Sequence, residues 1–253
     1  MANPGFTLVW PPDADRVEQI FERLAGVMPE PKTELDFKDA YTLVVAVALS
    51  AQATDVSVNK ATKTLFKVAD TPAKMLVLGE AGLIPYIQSI GLYRTKAKNV
   101  MAAARILQDQ YGGVVPLERT ALQSLPGVGR KTASVVLNEL GIEAAIAVDT
   151  HVFRVSHRLG LANAASPDRV EQQLMVVTPE AFLAKAHHWL ILHGRYTCKA
   201  QRPLCERCVV ADLCPSRRYY AEGPSPKTAR PRPPAKSRTA RAKPAPRSGS
   251  KPR

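Results

Sequence analysis

The sequence predicts an all-α fold. Three observations carry that expectation: apolar residues recur at three- and four-residue spacing, capping residues followed by proline mark several helix starts, and glycines close the same segments. No run alternates apolar and polar residues as a half-buried strand would, and no internal repeat stands out, so about ten helices are expected.

The first segment, DADRVEQIFERLAGV, places Val17, Ile20, Phe21, Leu24 and Val27 on one face, with Asp15 and Glu18 spaced as a capping box. TLVVAVALSA, at 42–51, is apolar throughout but shorter than the ~18 residues a membrane span needs, so it reads as one buried helix. Thr71-Pro72, Ser166-Pro167 and Thr178-Pro179 each set a capping residue before a proline suited to the first helical position. Gly112-Gly113 stops TKAKNVMAAARILQDQY, and Gly141 stops KTASVVLNEL.

At 253 residues, 45% hydrophobic and 23% charged, the chain can build one large or two modest cores. The start, MANPGFTLVW, has neither a charged n-region nor a long apolar h-region, so no signal peptide is expected and the default location is the cytoplasm. The net charge of +13 is uneven: residues 223–253 hold ten Lys or Arg, no Asp or Glu, and eight of the 21 prolines, leaving +3 for residues 1–222. Such a tail cannot bury a core and is expected to be disordered. It reads either as a solubilising end or as an arm that binds phosphate without sequence preference.

LPGVGRKTA, at 125–133, lies between two helix-like stretches, LERTALQSL and RKTASVVLNEL, so the region of about 119–141 reads as helix–hairpin–helix. Gly127 and Gly129, either side of Val128, permit positive φ and close approach, letting successive backbone N–H groups form an anion-binding nest at the second helix's start. A phosphate held there positions DNA without reading its sequence; the plainer reading is an ordinary turn between helices. Arg130 can serve that phosphate. Lys131 is harder to explain by attraction alone, because a helix start is already positive. Beside a second cation at that end the neutral amine is favoured, which makes a lysine a nucleophile; a second solvated phosphate contact is the alternative.

Asp149 follows an apolar AIAV and precedes THVFRVSHRL. It either caps that helix or presents a carboxylate that supports positive charge and proton transfer. His151 could assist, or simply pack. All four cysteines, Cys198, Cys205, Cys208 and Cys214, fall within 17 residues as C-x6-C-x2-C-x5-C. Clustered thiols in a chain without a secretion signal point to metal rather than disulfides. Zinc sites usually show two C-x2-C pairs and only one exists here, so the pattern modestly favours a [4Fe-4S] cluster over zinc.

Taken together, LPGVGRKTA, VDTHVFRV, HHWLILHGRYTC with its cysteine spacing, LSAQATDVSVNKAT at 49–62 and IGLYRTKAKN at 90–99 resemble the bacterial endonuclease III family. These are DNA glycosylase/AP lyases of base-excision repair, and the resemblance runs in order from about Pro11 to about Ser216. It implies two helical domains with a DNA-binding groove between them: a six-helix domain at 33–143, and an iron-sulfur domain at 144–222 against which 1–32 packs. The tail at 223–253 has no counterpart in the short members.

The same resemblance implies double-stranded DNA with a damaged pyrimidine or an abasic site as partner, no membrane, and a monomer. The damaged nucleotide is flipped out of the stack. Lys131 would attack the sugar C1′ and form a Schiff base, and β-elimination would cut 3′ to the lesion, with Asp149 supporting charge and proton transfers. Cys198, Cys205, Cys208 and Cys214 would hold a [4Fe-4S] cluster that scaffolds a phosphate-binding loop carrying Lys199 and Arg202. Gln52 and Leu92 would enter the base stack. On the residues alone, Leu92 reads as core and Gln52 as helix surface. Gly127, Val128, Gly129, Arg130 and His151 complete the expected DNA contacts. Gln123 stands where some relatives carry a carboxylate, which leaves any proton role there open.

Three other readings compete. An adenine-excising mismatch glycosylase shares the implied fold and cluster but lacks the hairpin lysine. A non-enzymatic helix–hairpin–helix module explains the glycines and the basic charge, yet does not require Lys131 with Asp149. An iron-sulfur electron carrier explains the cysteines alone.

Overall fold

The computed structural model describes residues 9–221; the basic segment at 223–253, with the expectations for it, lies outside them. The described residues form eleven α-helices, one 3-10 turn and no strand. The helices are α1 (Ala14–Val27), α2 (Ala40–Ser50), α3 (Asp55–Leu65), α4 (Pro72–Ile87), α5 (Tyr93–Tyr111), α6 (Arg119–Ser124), α7 (Arg130–Glu139), α8 (Thr150–Leu159), α9 (Pro167–Val177), α10 (Glu180–Tyr196) and α11 (Arg217–Ala221). Among them, none is long and apolar enough to cross a membrane.

Most boundaries follow the local chemistry of the chain. Thr71 caps α4 with Pro72 in its first turn, and Gly112, at φ 60°, ends α5. Two starts fall elsewhere than the spacing predicts. Asp13, not Asp15, caps α1, its Oδ1 accepting from Arg16 N at 2.9 Å. Thr178 closes α9 by donating its N–H to Leu174 O, so the cap position of α10 passes to Pro179.

Two cores organise these helices. The first gathers α2 to α7 around Leu43, Leu49, Leu65, Met75, Leu83, Ile87, Leu107, Leu122 and Val136, all 0% exposed. α2 is buried on almost every side, and its exposed polar start is tied down by a capping box between Asp39 and Thr42. The second core joins α1, from the chain's start, to α8, α9, α10 and the cysteine region: Phe21, Phe182 and Trp189 form a three-ring cluster, with Phe21 5.8 Å from Phe182 and 6.3 Å from Trp189 between centroids. Arg16 fixes α1 there, donating to the carbonyls of Leu159 at 2.8 Å and Leu213 at 3.2 Å.

Between the cores runs a groove of about 740 Å³, walled by Gln52, Asp55, Lys131 and Thr132 from one side and by Asp149, His151, His187, Ile191 and Arg195 from the other. The second wall depends on a close crossing of α8 and α10. An added Cβ at Gly194 would lie 2.9 Å from His151 Cβ and 3.1 Å from Val155 Cγ2.

That crossing yields a signed expectation. In an open helix Gly→Ala stabilises by about 1 kcal/mol, whereas forcing α8 from α10 costs roughly 1–3 kcal/mol. Because the 2.9 Å contact is with a Cβ that cannot rotate away, Gly194→Ala should destabilise on balance. Urea melts of variant and parent measure the sign directly.

Candidate active site and cluster site

Two helix starts meet at the groove, and they are finished in opposite ways. α7 begins after Gly129 with no side-chain cap, leaving its first-turn N–H groups free of side-chain acceptors; Arg130 and Lys131 are its first two residues. α8 begins after Asp149, whose Oδ1 accepts from His151 N at 2.8 Å and Val152 N at 2.7 Å. Asp149 is therefore a cap, as the plain reading has it. It also lines the groove, and among the described residues its Oδ2 accepts no hydrogen bond, so one oxygen remains for chemistry.

Lys131 is exposed to the groove and, among the described residues, makes no hydrogen bond or ion pair. Arg130 is not free in the same way: it pairs with Glu171 of α9, Nη2 to Oε2 at 3.1 Å, across the two cores. Glu171 also accepts from Ser134 Oγ at 3.5 Å, and Ser134 in turn accepts from Arg119 at 2.7 Å. Only one hairpin glycine uses the left-handed region. Gly127 has φ 82° and sits where a Cβ would lie 3.0 Å from Asn99 Cβ, whereas Gly129 is extended. Its lack of a side chain instead leaves the α7 start open. Val128 is buried in the first core, under the hairpin.

His187 forms part of the wall behind Lys131 and Asp149. Burial above all, then the neighbouring His188, pushes its pKa down to about 3, against smaller opposing effects of Asp149 and the Ala147 carbonyl, so the imidazole is neutral at physiological pH. Its Nδ1 is buried without a partner. His151 is half-buried with Nδ1 3.3 Å from Arg154 Nη2.

Gln52 and Leu92 are neither helix-surface nor core residues. Gln52 follows the end of α2 with φ 54°, and Leu92 precedes α5 with φ 59° and 61% exposure. Arg202, with φ 52°, lies in the cysteine loop, where it and Lys199 are both exposed.

The four cysteines are free, half-buried thiols opening onto one cavity that Arg158, His193 and Tyr220 also line. Arg158 Nη1 donates to Cys198 Sγ at 3.5 Å and to Lys199 O at 2.7 Å, while its guanidinium stacks 4.2 Å from the Tyr220 ring centroid. Burial pushes Cys214 up to about 12, and raises Cys205 and Cys208 as well. Thiols so disposed become thiolates when a cationic metal group holds them. Among the described residues no three Cys, His, Asp or Glu stand close enough to hold a single metal ion. Four cysteines opening onto one shared cavity supply the all-thiolate donor set that a [4Fe-4S] cluster takes.

Sequence reading missed His187, Arg195, Glu171 and Lys96. His187, Ile191 and Arg195 recur at i, i+4 and i+8 along α10 and all face the groove, a periodicity legible in HHWLILHGR. Arg195 bonds Glu34 and Asp55 from the opposite side, which spacing could not reveal.

Comparison with known proteins agrees with this geometry. A family model described as HhH-GPD superfamily base excision DNA repair protein matches residues 45–180, and the iron-sulfur binding domain of endonuclease III matches residues 198–214. Endonuclease III of Rickettsia conorii is 55% identical over 201 residues, covering 79% of this chain and 96% of the relative. Endonuclease III of Escherichia coli K12 is 54% identical, with 79% and 95% covered. The structure of a trapped endonuclease III–DNA covalent intermediate, an estranged-adenine complex, aligns with TM-score 0.78 at 41% identity, covering 83% of this chain and 99% of that one.

The buried imidazole makes stability depend on pH. With a pKa near 6.5 unfolded and about 3 folded, His187 binds a proton only in the unfolded chain over that interval, so stability falls as pH drops through it. From pH 7 to pH 5 this one residue should remove about 2 kcal/mol. Urea midpoints at the two pH values, for the parent and for His187→Gln, should show the variant losing correspondingly less.

Proposed function

The chain belongs to the endonuclease III family of base-excision repair enzymes, and on that premise we propose that it excises damaged pyrimidines from duplex DNA and cuts the strand through a Schiff base on Lys131. The observation that carries this reading is the pairing of an unengaged Lys131 with the free Oδ2 of Asp149 on one groove. We take the division into domains at 33–143 and at 1–32 with 144–222 from the same reading, with DNA lying along the groove between them. A monomer acting on cytoplasmic, nucleoid DNA completes it.

The damaged nucleotide leaves the stack and enters the groove, a step that is easier for a damaged base. The Lys131 amine attacks C1′, a C–N bond forms, and the glycosidic bond breaks with its electron pair leaving on the base, which takes up a proton. Loss of the amine proton and opening of the sugar ring give a protonated Schiff base between Nζ and C1′. Removal of a C2′ proton then expels the 3′ phosphate oxygen, and the strand is cut.

Positive charge develops near C1′ as the base departs, and Asp149 is held to meet it: capping α8 fixes its position through Oδ1 and leaves Oδ2 for the sugar. His187, neutral and buried behind both residues, adds no competing charge. The open start of α7 can take the backbone phosphate on free N–H groups. Arg130, held by Glu171, orients that helix across the groove, and its guanidinium is still half exposed for a phosphate. Cys198, Cys205, Cys208 and Cys214 would hold the [4Fe-4S] cluster, which would brace the loop bearing Lys199 and Arg202 and would supply no electron to the reaction.

Borohydride trapping on duplex DNA containing one thymine glycol tests the reading. The parent protein should give a covalent adduct and Lys131→Gln none, with binding retained; strand cutting that persists in Lys131→Gln removes the lysine from the chemistry.

Asp149→Asn separates charge from capping, because asparagine caps as well as aspartate. Stability should change by less than about 1 kcal/mol while turnover falls roughly 10²- to 10⁴-fold. A near-parental single-turnover rate would leave Asp149 a cap alone.

A further inference from the structure

Of the cations on α5, Arg94, Lys98 and Arg105 are exposed, and Lys96 is turned inward at 7% exposure among Ala97, Val100, Ala103 and Leu107. Its Nζ donates to Ala51 O at 2.6 Å, and burial lowers its pKa from the usual lysine value. Ala51 is the C-cap of α2, so the ammonium meets both an orphan carbonyl and the negative end of that helix. A buried cation bonded to a carbonyl, with no carboxylate among the described residues to offset its desolvation, is a costly way to finish a helix if finishing it were the only purpose.

Its surroundings show what else it does. The residue after Ala51 is Gln52, left-handed at φ 54°. One turn before Lys96 stands Leu92, left-handed at φ 59°, and Lys96 N donates to Leu92 O at 3.0 Å. The backbone of Lys96 therefore closes the Leu92 turn while its side chain closes the Gln52 turn. The two turns touch, since a Cβ on Gly91 would sit 3.8 Å from Gln52 O. Non-glycine residues do not hold left-handed conformations unaided, and a short charge-assisted hydrogen bond is a directional restraint on where such a turn sits.

We propose that Lys96 is a positioning residue that clamps the Gln52 turn to the Leu92 turn and sets the separation at which those two side chains enter the duplex beside the extruded nucleotide. The proposal rests on the repair reading above, in which Gln52 and Leu92 contact the stack. It assigns Lys96 no contact with the lesion, so its effect should scale with how much the opposing strand must be parted.

The test compares two rates from one preparation: single-turnover excision of thymine glycol opposite adenine in a duplex, and cleavage at an abasic site in a single-stranded oligonucleotide, where no opposing strand needs to be held apart. Their ratio cancels the fraction of folded protein. Lys96→Met keeps the unbranched stem and removes the donors, and should lower the duplex-to-single-strand ratio about tenfold or more, as small misplacements of positioning groups do. Lys96→Gln, uncharged and shorter but still able to donate to a carbonyl, should fall between, and it carries the test alone if Lys96→Met does not fold. Equal losses on both substrates, or a ratio within about twofold of the parent, would make Lys96 a structural cap and overturn the proposal. Failure of the parent protein on both substrates would overturn the repair reading, and the proposal with it.

Discussion

Arg154 is the interaction on which the groove's second wall depends. It is buried, and among the described residues no carboxylate pairs with it; its guanidinium donates to three carbonyls, Cys198 O at 3.1 Å, Thr150 O at 3.3 Å and Gly194 O at 2.8 Å. Those carbonyls belong to the entrance of the cysteine loop, the first residue of α8 and the close crossing on α10. A buried charge satisfied chiefly by backbone carbonyls, with the His151 ring 3.3 Å from Nη2, is tolerated where the backbone is itself immobile, so each of the three segments constrains the other two. Asp149 immediately precedes Thr150. The position of the carboxylate, the packing of α8 on α10 and the start of the cysteine loop are thus one mechanical unit.

The other wall is built by leaving something out. A helix start with free N–H groups has a partial positive charge that a side-chain cap would neutralise. α8 takes that cap from Asp149, while α7 takes none, and the difference lies in one residue before each helix, Asp149 against Gly129. The same elementary feature therefore serves two ends on facing walls: one start holds a carboxylate in place, and the other stays open to an anion. Glu171 ties α9 to α7, bonding Arg130 at the open start and accepting from Ser134 one turn further along. Glu171, 12% exposed, neutralises Arg130 partly and holds it, while the first-turn N–H groups of α7 stay free of side-chain acceptors.

What the sequence made legible follows from the range of the interaction involved. Helix content, most starts and stops, the hairpin, and the thiol cluster depend on contacts within a few residues, and these were readable to within a turn. Asp15 was mistaken for the α1 cap because Asp13 and Asp15 offer the same chemistry two residues apart, and only the packing of Ile20 and Phe21 sets the phase. The Arg195–Glu34–Asp55 contacts, the Arg130–Glu171 pair and the bonds from Arg154 to Cys198 and Gly194 join residues about 40 to 160 positions apart, and no local pattern announces them. Lys96 is an intermediate case. Its place at 96, in register with the apolar Val100, Ala103 and Leu107, marks a lysine on a buried stripe, a signal present in the sequence.

The three non-glycine residues with left-handed backbone among those described, Gln52, Leu92 and Arg202, are hidden from sequence for a different reason. Nothing in glutamine, leucine or arginine favours that conformation, which costs such residues on the order of 1–2 kcal/mol each. Chemical propensity points away from the observed geometry, so on the residues alone Gln52 reads as helix surface and Leu92 as core. A glycine would adopt these turns without strain, but it would carry no side chain to project. On the proposed repair reading, strain and function coincide at these positions, because a side chain is needed where the backbone prefers none. The cost is met by neighbours that can hold the turn: α5 and its buried Lys96 for the first two residues, and the cysteine framework braced by Arg158 for the third.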